Sequence, residues 1–520
     1  LKECSQQIMP IKMMMMMMMI AGAAQEKVLE EVVLTAEVMD KKIIKKVMVQ
    51  KTHQIQGAQI KLPALTKIVD PSIRKKIKTE NTIVPPKLNK LLGNKMKTRT
   101  LIVLFCLTLF SSPLIAKDNR IDGLRPDAPE LAILGPFKIG VRTLKLIHKD
   151  QIDAINIKIG KPFPLYDRPL TVEVWYPANT PDIGGVYKSV YLRDGKTQVN
   201  LYGTAVRDAV PLDGKAYPLI IISHGYPGNR YLMSHFGENL ASKGYIVASI
   251  DHTDSNYEDA GPFPSTLFNR PHDQKFILDE MTRMNALQGH FLENKINTNQ
   301  TGLIGYSMGG YGALITAGAG VTKNIAQTAQ VSPNGLLNDL IENSNTHETL
   351  LDSRFKAIVA ISPWGMEHNF WSDQGLANIR KPMFFISGSV DDVSGYESGT
   401  KLIYEKVVNS NRYLLTFENG NHNSAAPIPA PLEAWTAIYN NGKSVAFSHY
   451  TDPVWDQLRM NNIAQHFVTA YFSKILKNNI QMDTFLNFAT RSIDGKEKIE
   501  WKGFENQSNE GLTLEYLNAR

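Results

Sequence analysis

Cysteine is nearly absent from this chain: 520 residues carry two, Cys4 and Cys106. No disulfide framework and no Cys/His metal cluster can be assembled beyond residue 106. Thiolate chemistry is thereby excluded for everything downstream. The apolar run Leu101–Phe110 is too short for a membrane-spanning helix, which needs about 20 residues. A basic surface is also missing where it would matter. The formal charge of +7 is concentrated in residues 1–116, which hold 19 Lys and Arg against 8 Asp and Glu. Of the totals of 57 and 50, the remainder keeps 38 basic and 42 acidic residues, which gives no case for a nucleic-acid partner.

What those first residues do contain is a targeting signal. From Met96 to Ala116 the chain reads MKTRTLIVLFCLTLFSSPLIA. Lys97 and Arg99 form a positive start, Leu101–Phe110 an apolar middle, and Ser111–Ala116 a small-residue stretch suited to cleavage, which together read as a secretory signal peptide. Residues 1–95, with a methionine run from Met13 to Met19 and lysine-rich stretches, read as an upstream extension outside the mature protein; the alternative is a genuine amphipathic or disordered extension. The expected product is an exported protein, periplasmic or secreted, spanning 117–520 with a C-terminal tail from about residue 480. Its hydrophobic content of 43% over the chain is ample for a buried core.

The most informative motif is GLIGYSMGG, Gly302–Gly310. A short apolar strand runs into G-x-S-x-G, and the small-residue segment Tyr311–Ala319 that follows is compatible with a helix. This is how a strand delivers Ser307 into a tight turn, at roughly 1–3 kcal/mol of backbone strain. Gly305 and Gly309 are expected to let strand and helix approach. A serine hydroxyl needs a base, and the base needs an orienting carboxylate. Past the strand-like run Lys381–Gly388 comes Asp391, with Asp392 as its competitor; past Arg412–Gly420 comes His422. Ser, Asp, His is the chain order expected of such a fold. For a developing oxyanion, one amide donor is expected from Met308, after the nucleophile, and one from the loop after PLIIISHGYPGNR, Pro218–Arg230. Pro227 has no N–H to give, so Tyr226 is the expected donor. His224 reads as a brace for that loop.

Four segments carry a family resemblance: GPFKIGVRTLKL (Gly135–Leu146), RPLTVEVWYPA (Arg168–Ala178), SHGYPGNRYLMSHFGENLASKGYIVASIDH (Ser223–His252) and GYSMGG. Over residues 135–475 the chain resembles the α/β-hydrolase group of platelet-activating-factor acetylhydrolases, predicted dienelactone hydrolases and bacterial polyester hydrolases. Trp501–Tyr516 also resembles the end of bacterial members. Two departures matter. Plasma-type acetylhydrolases place the aspartate after the sixth strand, where this chain has Ser362, so the carboxylate is expected from the seventh strand's loop. Dienelactone hydrolases use a cysteine, which this region lacks. The resemblance implies that Tyr226 and Trp364 flank the bound ester.

The expected fold is therefore an α/β-hydrolase: a mostly parallel, eight-stranded, doubly wound sheet with helices on both faces and loop insertions. Strands are expected at 141–147, 170–176, 218–223, 245–251, 302–306, 356–362, 382–388 and 412–418, and a last helix at 456–475. Leu232, Phe236 and Leu240 make a core stripe. Specificity is expected in the long connections 178–216, 252–272, 320–355 and 424–454. The third reads equally as a cap or a surface loop; in the fourth, Pro427, Pro429, Pro431 and Trp435 suggest an apolar wall. Asp251, His252, Asp254 and Glu258 read as loop-solvating groups, and no metal or organic cofactor is expected. The expected activity is serine-dependent hydrolysis of short-acyl or lipid-type carboxylic esters. The alternatives are a polyester hydrolase, a peptidase or haloperoxidase of the same fold, and a non-catalytic binding protein.

Overall fold

The computed structural model describes residues 119–487, 492–494 and 497–520; the expected signal peptide and upstream extension lie outside them. All eight expected strands are present: β1 (Lys138–Ile152), β2 (Leu165–Asn179), β3 (Tyr217–Ser223), β4 (Ile246–Asp251), β5 (Ile296–Tyr306), β6 (Phe355–Ile361), β7 (Met383–Gly388) and β8 (Arg412–Phe417). A ninth, β9 (Leu512–Leu517), closes one edge. The sheet runs β9-β8-β7-β6-β5-β3-β4-β2-β1, with two-residue strands at 206–207 beside β1 and 210–211 beside β2. β3 to β8 pair in parallel, whereas β1 pairs antiparallel with β2, β2 with β4 and β9 with β8.

The parallel strands are continuous apolar runs because both faces are covered. In β3 the side chains alternate, Ile220 and Ile222 joining one core cluster and Leu219 and Ile221 the other, as the strand period of two requires. The first cluster takes in Leu232, Phe236 and Leu240 around helix α1 (Ser234–Ser242). Phe467 and Tyr471 join it from α4 (Gln457–Leu476). The second cluster packs under α2 (Phe263–Ala286) and α3 (Met308–Ala317).

Three connections differ from expectation. Segment 178–216 is not an open loop: Gly185–Tyr191 and Gln198–Gly203 form an antiparallel hairpin. It is docked through Tyr187, Val190, Val199 and Leu201 in the core. Its anchor is the buried Glu238 carboxylate, which accepts from Tyr187 Oη at 2.5 Å and from the Thr204 and Ala205 amides at 2.7 and 3.0 Å. Segment 320–355 buries Ile325, Leu336, Leu337 and Leu340 in the α2/α3 cluster, so its apolar positions serve the core. The tail returns to the sheet as β9, with Trp501 1% exposed and Leu512 paired to Phe417, covering what would otherwise be an open strand edge.

Register brings the carboxyl ends of the central strands level: Ser223 lies opposite Gly305, Tyr306 opposite Ile361, and Gly388 opposite Phe417. The loops leaving these ends therefore converge, which is where open α/β sheets bind ligands.

Candidate active site

Ser307 sits between β5 and α3 with φ 52° and ψ −113°, a sparsely populated conformation for a residue with a side chain. Two close approaches impose it. A Cβ added to Gly305 would stand 2.3 Å from Gly309 O, and one on Gly309 would stand 1.9 Å from Ser223 O. Only glycine lets the turn, the following helix and the end of β3 share that space. The turn is fixed by Ser307 N donating to Ile361 O at 2.9 Å and by Trp364 N donating to Ser307 O at 3.2 Å.

The structure brings the three expected residues together. His422 Nε2 lies 3.1 Å from Ser307 Oγ, and His422 Nδ1 lies 3.0 and 3.1 Å from the two Asp391 oxygens. Asp391, not Asp392, faces the imidazole: its side chain is fully buried, while Asp392 is exposed. Asp391 Oδ1 also accepts from the Val393 and Ser394 amides at 3.0 and 2.9 Å. Burial pushes this carboxyl up, but the His422 bond and charge, with the two amides, hold it below the ordinary aspartate value. Ser362, at the end of β6, is buried, and the acid partner of His422 comes from the β7 loop.

Asn421, missed in the sequence reading, joins the two loops. Its Oδ1 accepts from Asp392 N at 3.0 Å and from His422 N at 2.7 Å. Gly388 permits this approach, since a Cβ there would meet Gly420 O at 2.1 Å. The only available signal was a short amide directly before the histidine. Tyr306 packs its ring 5.2 Å from that of His422 and donates to Asn423 Oδ1 at 3.0 Å.

The two residues expected to supply amide donors, Met308 and Tyr226, lie on the elements that meet at the serine turn. Met308 opens α3, where the first N–H groups have no intrahelical acceptor and carry the positive end of the helix dipole. Gly225 lies against the turn: a Cβ there would stand 3.4 Å from Ser307 Cβ, and Gly225 and Tyr226 line the same cleft as Ser307. His224 is buried, with Nδ1–H donating to Gly225 O at 2.7 Å and Nε2 accepting from His252 N at 3.2 Å. Burial, reinforced by the neighbouring Arg270, holds it neutral, well below its ordinary pKa.

A cleft of about 730 Å³ opens over Ser307, lined among others by Tyr226, Tyr306, Asn423, Tyr439, Phe447 and His449. Tyr226 is half-buried and stacks edge-on against Phe263 at 5.6 Å. Trp364 is half-buried among Phe263, His368 and Phe370 and does not line this cleft. The wall after His422 is a correction. Pro427, Pro429, Pro431 and Trp435 are absent from the lining, which is built from Tyr439, residues 447–449 and residues 451–453 instead; Trp435 reaches it through its contact with Phe447, 4.6 Å between ring centres. The proline-rich stretch, with Ala425, Ala426 and Ile428, belongs to the core side of the segment, which leaves the later residues to face the opening. His449 Nε2 is paired with Tyr257 Oη at 2.8 Å.

The acidic and histidine residues after β4 are also corrected. Asp251 pairs with Arg230, Asp254 with Arg168 at 3.0 Å, and His252 is buried with Nδ1 2.8 Å from Asp273 and Nε2 2.8 Å from Ser223 Oγ; only Glu258 is a solvated loop group. Charges this deep persist because each has a partner. Among the described residues no helix is long and apolar enough to cross a membrane.

A histidine held between a serine hydroxyl and a buried carboxylate can take the hydroxyl proton while keeping one tautomer. The chain is similar to several known ester hydrolases. Residues 205–334 match the family model described as PET hydrolase-like, and residues 131–262 match that of platelet-activating factor acetylhydrolase, isoform II. A platelet-activating factor acetylhydrolase of Cavia porcellus is 31% identical over 128 residues, 24% of this chain and 28% of the relative. A cutinase of Thermobifida alba is 22% identical over 214 residues, 41% of this chain and 55% of the relative. The chain thus spans between about a quarter and just over half of these relatives' lengths. A ferulic acid esterase structure from Streptomyces cinnamoneus aligns at 18% identity and TM-score 0.44, over 70% of this chain and 94% of that one.

Proposed function

Because the chain is an α/β-hydrolase of the group that holds the platelet-activating-factor acetylhydrolases and the polyester hydrolases, we propose that it hydrolyses carboxylic esters through a Ser307 acyl-enzyme. Ser307 Oγ attacks the ester carbonyl carbon as its proton passes to His422 Nε2. Asp391 holds the imidazole in the required tautomer and stabilises the imidazolium that forms. The carbonyl oxygen becomes an oxyanion, received by the Tyr226 and Met308 amides. Collapse breaks the bond to the alcohol, which leaves with the proton from His422. Water then attacks the acyl-enzyme with His422 again as base, and the acid is released. The observation that carries this reading is the relay from Ser307 through His422 to Asp391 at 3.1 and 3.0 Å, opening on the cleft.

The substrate is a short-acyl or lipid-type ester. A polyester is the second reading, favoured by the PET hydrolase-like match and by a cleft lined with Tyr226, Tyr306, Tyr439 and Phe447. Export rests on the Met96–Ala116 signal. The test is hydrolysis of p-nitrophenyl acetate, butyrate and octanoate, and of an aromatic diester, by the protein and its Ser307→Ala variant. Turnover abolished by the substitution is expected, with the chain-length trend and the diester rate separating the two readings. A folded protein inactive on all four overturns the proposal.

A further inference from the structure

Arg270, on α2, is completely buried yet touches no carboxylate. Its guanidinium is spent on the loop after β3: Nη1 donates to His224 O, and Nη2 donates to Gly225 O at 2.9 Å and to Ser255 Oγ at 2.6 Å. Burial lowers its pKa to about 9, with the Arg168 charge adding to the effect and Asp273 opposing it. A buried arginine without a direct ion-pair partner is costly, so what its hydrogen bonds accomplish is the informative question.

The Gly225 carbonyl and the Tyr226 N–H belong to one peptide unit. That unit is planar, so in the trans form its C=O and N–H point in opposite directions. Gly225 O is held toward α2 by Arg270 Nη2 and by His224 Nδ1–H at 2.7 Å; the Tyr226 N–H is thereby aimed away from α2. The Gly225 end of that unit lies beside Ser307, where a Cβ would stand 3.1 Å from the Tyr306 ring and 3.4 Å from Ser307 Cβ. Side-chain sterics hold this peptide weakly, because the residue beside the serine is a glycine and glycine turns over freely. Hydrogen bonds must hold it instead, and a charged donor makes roughly twice the bond a neutral one does.

The same helix is locked to the nucleophile. A Cβ on Gly312, in α3, would stand 2.7 Å from Arg270 Cβ and 2.8 Å from Gln274 Nε2, so α2 and α3 cross in contact at this point. Gln274 Nε2 donates to Ser223 Oγ at 3.0 Å and to Gly309 O at 3.2 Å, tying the end of β3 to the first turn of α3. Asp273, Arg168 and His252 complete a buried network behind it.

We infer that Arg270 is a positioning residue for oxyanion stabilisation: by holding the carbonyls of His224 and Gly225 it keeps the Tyr226 N–H facing the reacting carbonyl of the substrate. The inference rests on the serine-hydrolase reading above. Arg270 does not meet the ester itself, and its effect is confined to the state in which the oxyanion exists.

The test compares the parent with Arg270→Met and Arg270→Lys. Readouts are kcat and KM on p-nitrophenyl butyrate, the Ki of an alkyl trifluoromethyl ketone, which adds to the serine to give a tetrahedral oxyanion, and the Ki of the corresponding secondary alcohol, which cannot. In Arg270→Met, kcat is expected to fall about 10- to 100-fold, somewhat less than loss of an oxyanion donor itself. KM and the alcohol Ki should stay within about two-fold, and the ketone Ki should weaken in proportion to kcat/KM. Arg270→Lys should recover part of the loss by restoring one charged donor. If Arg270→Met does not fold, Arg270→Lys and Ser255→Ala, which removes one acceptor from the guanidinium, must show the same signature at a few-fold. Folded variants that keep kcat and ketone affinity overturn the inference, as do variants that lose alcohol affinity and KM in step with kcat, the mark of a merely structural role. A parent without Ser307-dependent turnover overturns the hydrolase reading, and this inference with it.

Discussion

Replacing Asp391 by asparagine isolates one hydrogen atom. The Oδ1 of Asp391 accepts from the Val393 and Ser394 amides at 3.0 and 2.9 Å, and those two donors require an oxygen at that position. An asparagine must therefore put its oxygen there and its NH2 where Oδ2 now faces His422 Nδ1 at 3.1 Å. Oδ1, itself 3.0 Å from Nδ1, already accepts from the two amides, so the NH2 decides the pairing: Nδ1 becomes the acceptor and the imidazole proton moves to Nε2, the atom 3.1 Å from Ser307 Oγ. A protonated Nε2 cannot take the serine proton. The expected loss is about 10³- to 10⁴-fold in kcat, the scale of a wrong-tautomer triad, or roughly 4–5.5 kcal/mol of barrier. Size and packing are nearly unchanged, so KM should move little. Initial rates on p-nitrophenyl butyrate at pH 8 read the effect, with Asp392→Asn as the comparison. Asp392 is exposed and makes its bond through its backbone N–H, so that variant should stay within about two-fold of the parent. An Asp391→Asn enzyme retaining a tenth of the parental kcat, or an Asp392→Asn enzyme losing as much, would refute the assignment.

Gly309→Ala places a methyl group 1.9 Å from Ser223 O, a backbone atom that cannot move without shifting β3; a cost of about 3 kcal/mol or more is expected, and a melting temperature within one degree of the parent would contradict the packing argument. Burial pushes His252, His449 and His466 each down to about 3, against about 6.5 in an unfolded chain. Between those values the unfolded state binds protons that the folded state does not, so stability must fall as pH drops from 6.5 toward 3, by about 1.4 kcal/mol per pH unit for each histidine well below 6.5. His466 accepts from Leu131 N at 3.1 Å, a bond that glutamine can imitate, so urea unfolding of His466→Gln at pH 6 and pH 4 should show the dependence shallower by one proton; parallel curves for the two proteins would count against it.

Much of this molecule was legible in its residues because the deciding physics is local. The turn at Ser307 follows from Gly305 and Gly309, whose missing side chains are the only way strand, helix and hydroxyl fit together. Runs such as Leu219–Ile222 read as buried parallel strands because they are short, rich in β-branched residues and apolar at every position, as a strand covered on both faces must be. The order of Ser307, Asp391 and His422 along the chain followed from the strands that end before them. Other features could not be read in that way. Whether Asp391 or Asp392 meets the imidazole depends on which way the chain leaves Gly388, and that direction is set by Gly420 and Asn421 on another loop. Tyr439, residues 447–449 and residues 451–453, rather than Pro427 to Trp435, wall the cleft because the first part of that segment was drawn into the core. The hairpin at 185–203 and the edge strand at 512–517 depend on Glu238 and on β8, contacts between residues dozens of positions apart. Arg270 fell within the connection expected at 252–272, whereas it lies on α2. Its meaning comes from the crossing of α2 over Gly312 and from the planarity of one peptide bond, relations in space that no spacing along the chain encodes.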